Sequence, residues 1–160
     1  ETRLDLVRVG IGLYGLHPCS HTKAIMNDLR PVMSLHTQVM AVKQVAKGTG
    51  VSYGRAFVTW KDTAIAVLPI GYADGLLRRL GERGEVLING RRYPFAGRIT
   101  MDHCMVDVGG GVVEIGDVVT LIGRQGEETI TADDWAEWIG TINYEIPCMI
   151  SERVERIYCR

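Results

Sequence analysis

Val86-Leu87-Ile88-Asn89-Gly90-Arg91-Arg92-Tyr93 reads as a β-hairpin and decides the class of fold. Asn-Gly supplies the two positive φ angles of a type I′ turn, whose twist matches that of paired strands. Upstream, Ala64 to Ile70 is a continuous apolar run, the pattern of a strand buried on both faces. Farther back, Met33, Leu35, Thr37, Val39, Ala41 and Val45 alternate with Ser34, His36, Gln38 and Gln44. That alternation predicts one long strand, or two joined by a bend, between Val32 and Val45. Downstream, strands are expected at 95–99, 103–108 and 118–123, punctuated by Gly109-Gly110-Gly111 and Arg124-Gln125-Gly126. One good helix is predicted, over 132–139. Thr131 caps it, Asp133 and Asp134 suit the positive end of its dipole, and Gly140 follows its last turn. Many short strands at close spacing predict a mainly β domain over 32–160: a compact, Greek-key-like β-barrel with one or two short helices.

The first thirty residues read differently. Leu6 to Leu13 is an apolar run with no turn before it, and Glu1 is not a start residue. This suits a final buried strand whose partner strands are missing. Residues 17–31 read as a polar connector ending in Arg30-Pro31, a pair that discourages helix continuation.

Composition narrows the function classes. At 160 residues the chain can build one substantial core, and its 46% hydrophobic and 23% charged residues are ordinary for a globular protein. A net charge of −1 gives no electrostatic reason to expect a nucleic-acid or acidic-membrane partner. No apolar run approaches the roughly 20 residues of a membrane span, and no basic-then-apolar leader opens the chain. Cys19, Cys104, Cys148 and Cys159 are scattered without a CxxC pair, so reduced thiols and a cytoplasmic setting are expected. His17, Cys19 and His21 alternate, but with no second ligand cluster they read as a solvated loop, and no metal is expected.

Three blocks carry chemistry. Gly50-Val51-Ser52-Tyr53-Gly54 sets a tyrosine beside a backbone kink, and Pro69-Ile70-Gly71-Tyr72-Ala73-Asp74-Gly75 sets another between glycines after an apolar strand. Gly97-Arg98-Ile99-Thr100-Met101-Asp102 follows. A phenol held this way can face a cavity with its hydroxyl available as donor, acceptor or base. Either tyrosine alone would read as a packing residue at a turn. Together, and with Thr141-Ile142-Asn143-Tyr144-Glu145-Ile146-Pro147-Cys148 and Val7-Arg8-Val9-Gly10-Ile11, the blocks closely resemble the C-terminal domain of bacterial alanine racemases. These are fold-type III pyridoxal-phosphate enzymes that interconvert L- and D-alanine. The resemblance runs through nearly the whole chain.

The resemblance implies a set of roles. Racemisation removes the Cα proton and returns one on the opposite face, so two acid/base groups are needed. In the family one is the lysine that holds pyridoxal phosphate and the other is a tyrosine, carried over by position to Tyr53. An ordinary phenol titrates near ~10 and needs nearby positive charge to act as a base. Arg8 matches an arginine set against the pyridine nitrogen. Its guanidinium stays charged, so it donates a hydrogen bond without protonating the ring, which limits transamination. Gly10 and Ile11 match main-chain donors to the cofactor phosphate, and Tyr144 a hydroxyl that binds the same group. Tyr72, Met101 and Asp102 match the substrate end, and Arg78, Arg98 and Ile142 the entry corridor. Thr100 stands where cysteine is frequent and His103 where glutamine is frequent; neither removes a proposed group.

No lysine here has the setting of the family's cofactor lysine, since Lys43 lies on an alternating strand and Lys47 and Lys61 in loops. The resemblance therefore implies the C-terminal part of a larger racemase, inactive alone. Residues 1–16 would end its (β/α)8 barrel. The parent would be a homodimer with its site shared between subunits, serving peptidoglycan precursor synthesis. Three alternatives stay open: a serine racemase, a pyridoxal-phosphate amino-acid decarboxylase, for which Cys104 is the one candidate cysteine, and a non-catalytic β-barrel binding module.

Overall fold

The computed structural model describes residues 5–25 and 28–159. The chain forms two compact units, Glu1–Met33 and Ser34–Arg160. In the first, Gly10–Tyr14 is a 3-10 turn and α1 (Ser20–Ile25) is a short helix. Neither was anticipated. Leu6 to Leu13 is not a strand in this structure: residues 6–9 are irregular, and Leu6, Val7, Val9 and Leu13 are exposed. A strand exists only through hydrogen bonds to a neighbour, and no described residue pairs with this run. The connector expected at 17–31 contains α1.

The second unit is mainly β and antiparallel, as the periodicity indicates. Its strands are β1 (Leu35–Gln38), β2 (Ala41–Val45), β3 (Gly50–Val51), β4 (Phe57–Val58), β5 (Thr63–Leu68), β6 (Glu85–Ile88), β7 (Arg91–Pro94), β8 (Cys104–Gly109), β9 (Val118–Gln125) and β10 (Glu128–Ile130). One sheet runs β1-β9-β6-β7 with β10 also on β9, a second runs β2-β5-β8, and β3 pairs with β4 alone. The alternating stretch from Val32 to Val45 resolves into two strands in different sheets. Val39 donates to Asp117 and Met40 donates to Val67, so consecutive residues serve opposite sheets. The sheets meet again where Phe95 bridges Val106 and Ala96 donates to the Met105 carbonyl.

The hairpin turn is as read, with φ of 51° at Asn89 and 74° at Gly90. The strand expected at 95–99 is not formed beyond the single Phe95 bridge. Gly97 turns at φ 88° against Val51 and Ser52, and the Arg98 carbonyl accepts from Ser52 Oγ at 2.7 Å, so this stretch clasps a loop instead of joining a ladder.

Four α-helices lie among the described residues. In the second unit α2 (Leu80–Arg83) and α4 (Glu145–Met149) flank α3 (Ala132–Ile139), whose span and caps match the sequence reading. Thr131 Oγ1 accepts from Asp134 N, Asp134 Oδ2 accepts from Thr131 N, and Gly140 closes the helix at φ 74°. Its inner face buries Ala132, Trp135, Ala136 and Ile139, and Trp135 Nε1 donates to the Leu121 carbonyl of β9. Thr131→Ala removes the cap, so denaturation of the purified chain should show a loss of about 1 kcal/mol. An unchanged midpoint would mean that packing alone holds α3.

Candidate active site

The three chemical blocks converge at one end of the β2-β5-β8 sheet. Where β5 ends, Gly71 turns the chain into a 3-10 turn, Tyr72–Asp74. The paired strand β8 starts at Cys104, so the residues just before it, Thr100 to His103, lie beside that turn. Tyr72 N donates to the Thr100 carbonyl and Ala73 N to the Met101 carbonyl, both at 3.0 Å. The approach is close enough that a Cβ at Gly71 would sit 2.3 Å from the Thr100 oxygen. Only glycine fits there, which is why Tyr72 follows a glycine.

Tyr53 arrives from the other side, on the loop between β3 and β4. Ser52 is held at φ 65°, ψ 175°, a region nearly restricted to glycine and costing about 1–3 kcal/mol. Gly54 and Arg55 also have positive φ. The Ser52 hydroxyl on the Arg98 carbonyl pins the loop. Tyr53 is thereby presented outward, 72% exposed.

These turns enclose an open cleft of about 330 Å³, lined by Tyr53, Tyr72, Arg78, Arg98, Met101 and Asp102 together with Ile99, Thr100 and His103. Six residues singled out from sequence therefore share one space. Ile142 and Tyr144 do not line it; both lie between α3 and α4, Ile142 exposed and Tyr144 39% exposed. Asn143 beside them is buried and donates to Asp133 at 2.6 Å, tying that segment to the start of α3. Arg8, Gly10 and Ile11 belong to the first unit, where Arg8 and Gly10 are exposed and Ile11 is buried.

Two residues of the site escaped sequence reading. Ser52 acts through a backbone angle that its residue type disfavours, so only coordinates reveal it. Arg153, far along the chain, donates to Asp102 Oδ1 at 2.7 Å and approaches Asp74 Oδ1 at 3.3 Å. The hydrogen bond to Asp102, then the charge of Asp74, hold its guanidinium above the ordinary arginine value. No spacing rule links position 153 to 74 and 102.

Among the described residues no group of three or more His, Cys, Asp or Glu could hold a metal ion, and no helix is long and apolar enough to cross a membrane. All four cysteines are unpaired.

Residues 32–158 match the family model described as alanine racemase, C-terminal domain. The chain belongs to the alanine racemase family. The alanine racemase of Carboxydothermus hydrogenoformans is 52% identical over 159 residues, 99% of this chain and 43% of that protein. That of Clostridium novyi is 47% identical over 162 residues, 100% of this chain and 42% of that protein. The chain thus spans about two fifths of the length of these relatives. The crystal structure of the Bacillus anthracis alanine racemase with bound L-Ala-P matches with a TM-score of 0.90 at 50% identity, over 94% of this chain and 39% of that one. The Streptomyces coelicolor alanine racemase matches with a TM-score of 0.89 at 45% identity, over 96% of this chain and 40% of that one. The mainly β architecture of this domain accordingly matches the corresponding part of solved alanine racemases.

Proposed function

We propose that the chain is the C-terminal domain of a pyridoxal-phosphate-dependent alanine racemase that interconverts L- and D-alanine for peptidoglycan precursors in the cytoplasm. The observation that carries the proposal is the shared cleft, where an exposed phenol stands with two arginines and the Met101 turn. Tyr53 Oη holds and moves a proton on one face of the substrate Cα. Arg78 and Arg98 draw the anionic carboxylate group inward, Tyr72 narrows the passage, and Ile142 flanks the corridor. The Met101 carbonyl is taken by Ala73, so the main-chain group it offers a carboxylate is its N–H. Asp102 lines the substrate end.

The donor set suits pyridoxal phosphate. Arg8 is an exposed permanent cation for a pyridine nitrogen. Gly10 and Ile11 start a 3-10 turn, whose first N–H groups lack partners within the turn and face an anion well. A Cβ at Gly10 would occupy otherwise open space that a phosphate can approach. The Tyr144 hydroxyl supplies a further donor. When bound, the cofactor supplies the electron sink that makes the Cα–H acidic. The second base is the cofactor lysine of the whole protein, which acts as a homodimer with its site shared between subunits.

No specific observation favours the other readings. The decarboxylase reading relies on Cys104, yet that thiol is wholly buried in β8 and burial pushes its pKa up. Assay of the full-length parent for alanine racemisation, serine racemisation and decarboxylation tests the proposal; a preference for either of the last two overturns it. The purified 160-residue chain should fold as a β domain and convert no alanine when pyridoxal phosphate is added. Measurable L- to D-alanine conversion by that chain would refute the assignment of the cofactor lysine to another part of the protein.

A further inference from the structure

Two acidic side chains stand on the two turns that meet at the cleft, one on each. Asp74 belongs to the Tyr72–Asp74 turn, and its Oδ2 accepts from Gly71 N at 2.9 Å. Asp102 follows Met101 and lines the cleft. Arg153 touches both, through Nε to Asp74 at 3.3 Å and Nη2 to Asp102 at 2.7 Å. The presenting segment is itself built. Arg156 donates to the carbonyls of Ile150 at 2.9 Å, Ser151 at 2.6 Å and Val154 at 2.5 Å, and Ser151 N donates to the Asp74 carbonyl. A guanidinium reaches two carboxylates at once because its donors form a planar fork; a lysine ammonium is a point charge on a flexible stem.

The charge balance follows. Arg78 and Arg98 line the cleft as cations and Asp102 as an anion. With Arg153 paired to Asp102, that carboxylate no longer offsets the two arginines, and the mouth keeps its attraction for a carboxylate-bearing substrate. Resting on the racemase reading above, we infer that Arg153 is a positioning residue: it locks the Tyr72 turn to the Met101–Asp102 turn and neutralises Asp102, so that the cleft stays cationic toward its anionic ligand group. It acts through Tyr72, Met101 and Asp102 and touches no reacting atom.

The test uses the full-length parent with four measurements on each variant: KM, kcat, thermal midpoint, and hydrogen exchange of the peptide carrying the Tyr72 and Ala73 amides. Arg153→Gln should raise KM for alanine about three- to tenfold with kcat within about twofold, and exchange of that peptide should quicken. Arg153→Lys should recover part of the KM loss. Raising the ionic strength should shrink the KM difference between Arg153→Gln and the wild type, because salt screens the uncompensated carboxylate. An unchanged KM in Arg153→Gln overturns the inference, as does a KM difference that added salt leaves intact. Loss of thermal midpoint and kcat with KM unchanged would make Arg153 a structural residue and also overturn it. If the wild-type parent does not racemise alanine, the functional reading fails separately, and the exchange measurement still decides whether Arg153 locks the two turns.

Discussion

Tyr53→Phe in the full-length enzyme is expected to lower racemisation about 10²- to 10⁴-fold, the usual contribution of a general acid/base group. The fold should be unaffected, because the ring is 72% exposed and the loop is held by Ser52 and its neighbours' backbone angles, not by the phenol. Loss should fall on one face of the substrate. Exchange of the Cα proton with solvent deuterium, begun separately from L- and D-alanine, reads that asymmetry, with the L-alanine direction damaged. Wild-type turnover in both directions would remove Tyr53 from the chemistry.

The largest stability effect is expected at Trp135. Its side chain is 1% exposed, and its indole N–H satisfies the Leu121 carbonyl inside β9. Trp135→Ala opens a cavity between α3 and the sheet and leaves that carbonyl facing it, so a loss of about 3–5 kcal/mol is expected. That is a factor of roughly a hundred to several thousand in the folding equilibrium, a large share of the margin of a small domain. Urea denaturation of the purified chain checks it. A shift under about 1 kcal/mol would mean that α3 repacks around the hole.

Particular elements show why some of this was legible in the sequence. The α3 helix was read to the residue because its limits are local chemistry: a threonine cap, an aspartate answering it, and a glycine able to turn left-handed. The Asn89-Gly90 hairpin and the buried β5 were legible for the same reason, since turn chemistry and apolar runs are written in neighbouring residues. Residues 95–99 misled because their composition is strand-like while their conformation is set by Ser52, more than forty positions away. Leu6 to Leu13 forms no strand here because that pattern calls for partner strands, and no described residue pairs with it.

The cleft residues Tyr53, Tyr72, Arg78, Arg98, Met101 and Asp102 were nominated by motif resemblance, and their common lining of one cleft emerges only in three dimensions. Arg153 was illegible, because ion pairs to residues about a third and about half the chain away leave no local trace.

The joint at Val39 and Met40 has a mechanical consequence. Val39 is bonded to the loop before β9 on one side, and Met40 to β5 on the other, with no slack residue between them. Two sheets bound through adjacent peptide units cannot slide independently, so the joint works as a corner brace in a close-packed interior that carries load instead of absorbing it. A push on β1 arrives in the β2-β5-β8 sheet as shear. That sheet is the footing of the Tyr72 and Met101 turns. The footing of the cleft is thus tied to a corner whose main-chain bonds involve none of the cleft residues.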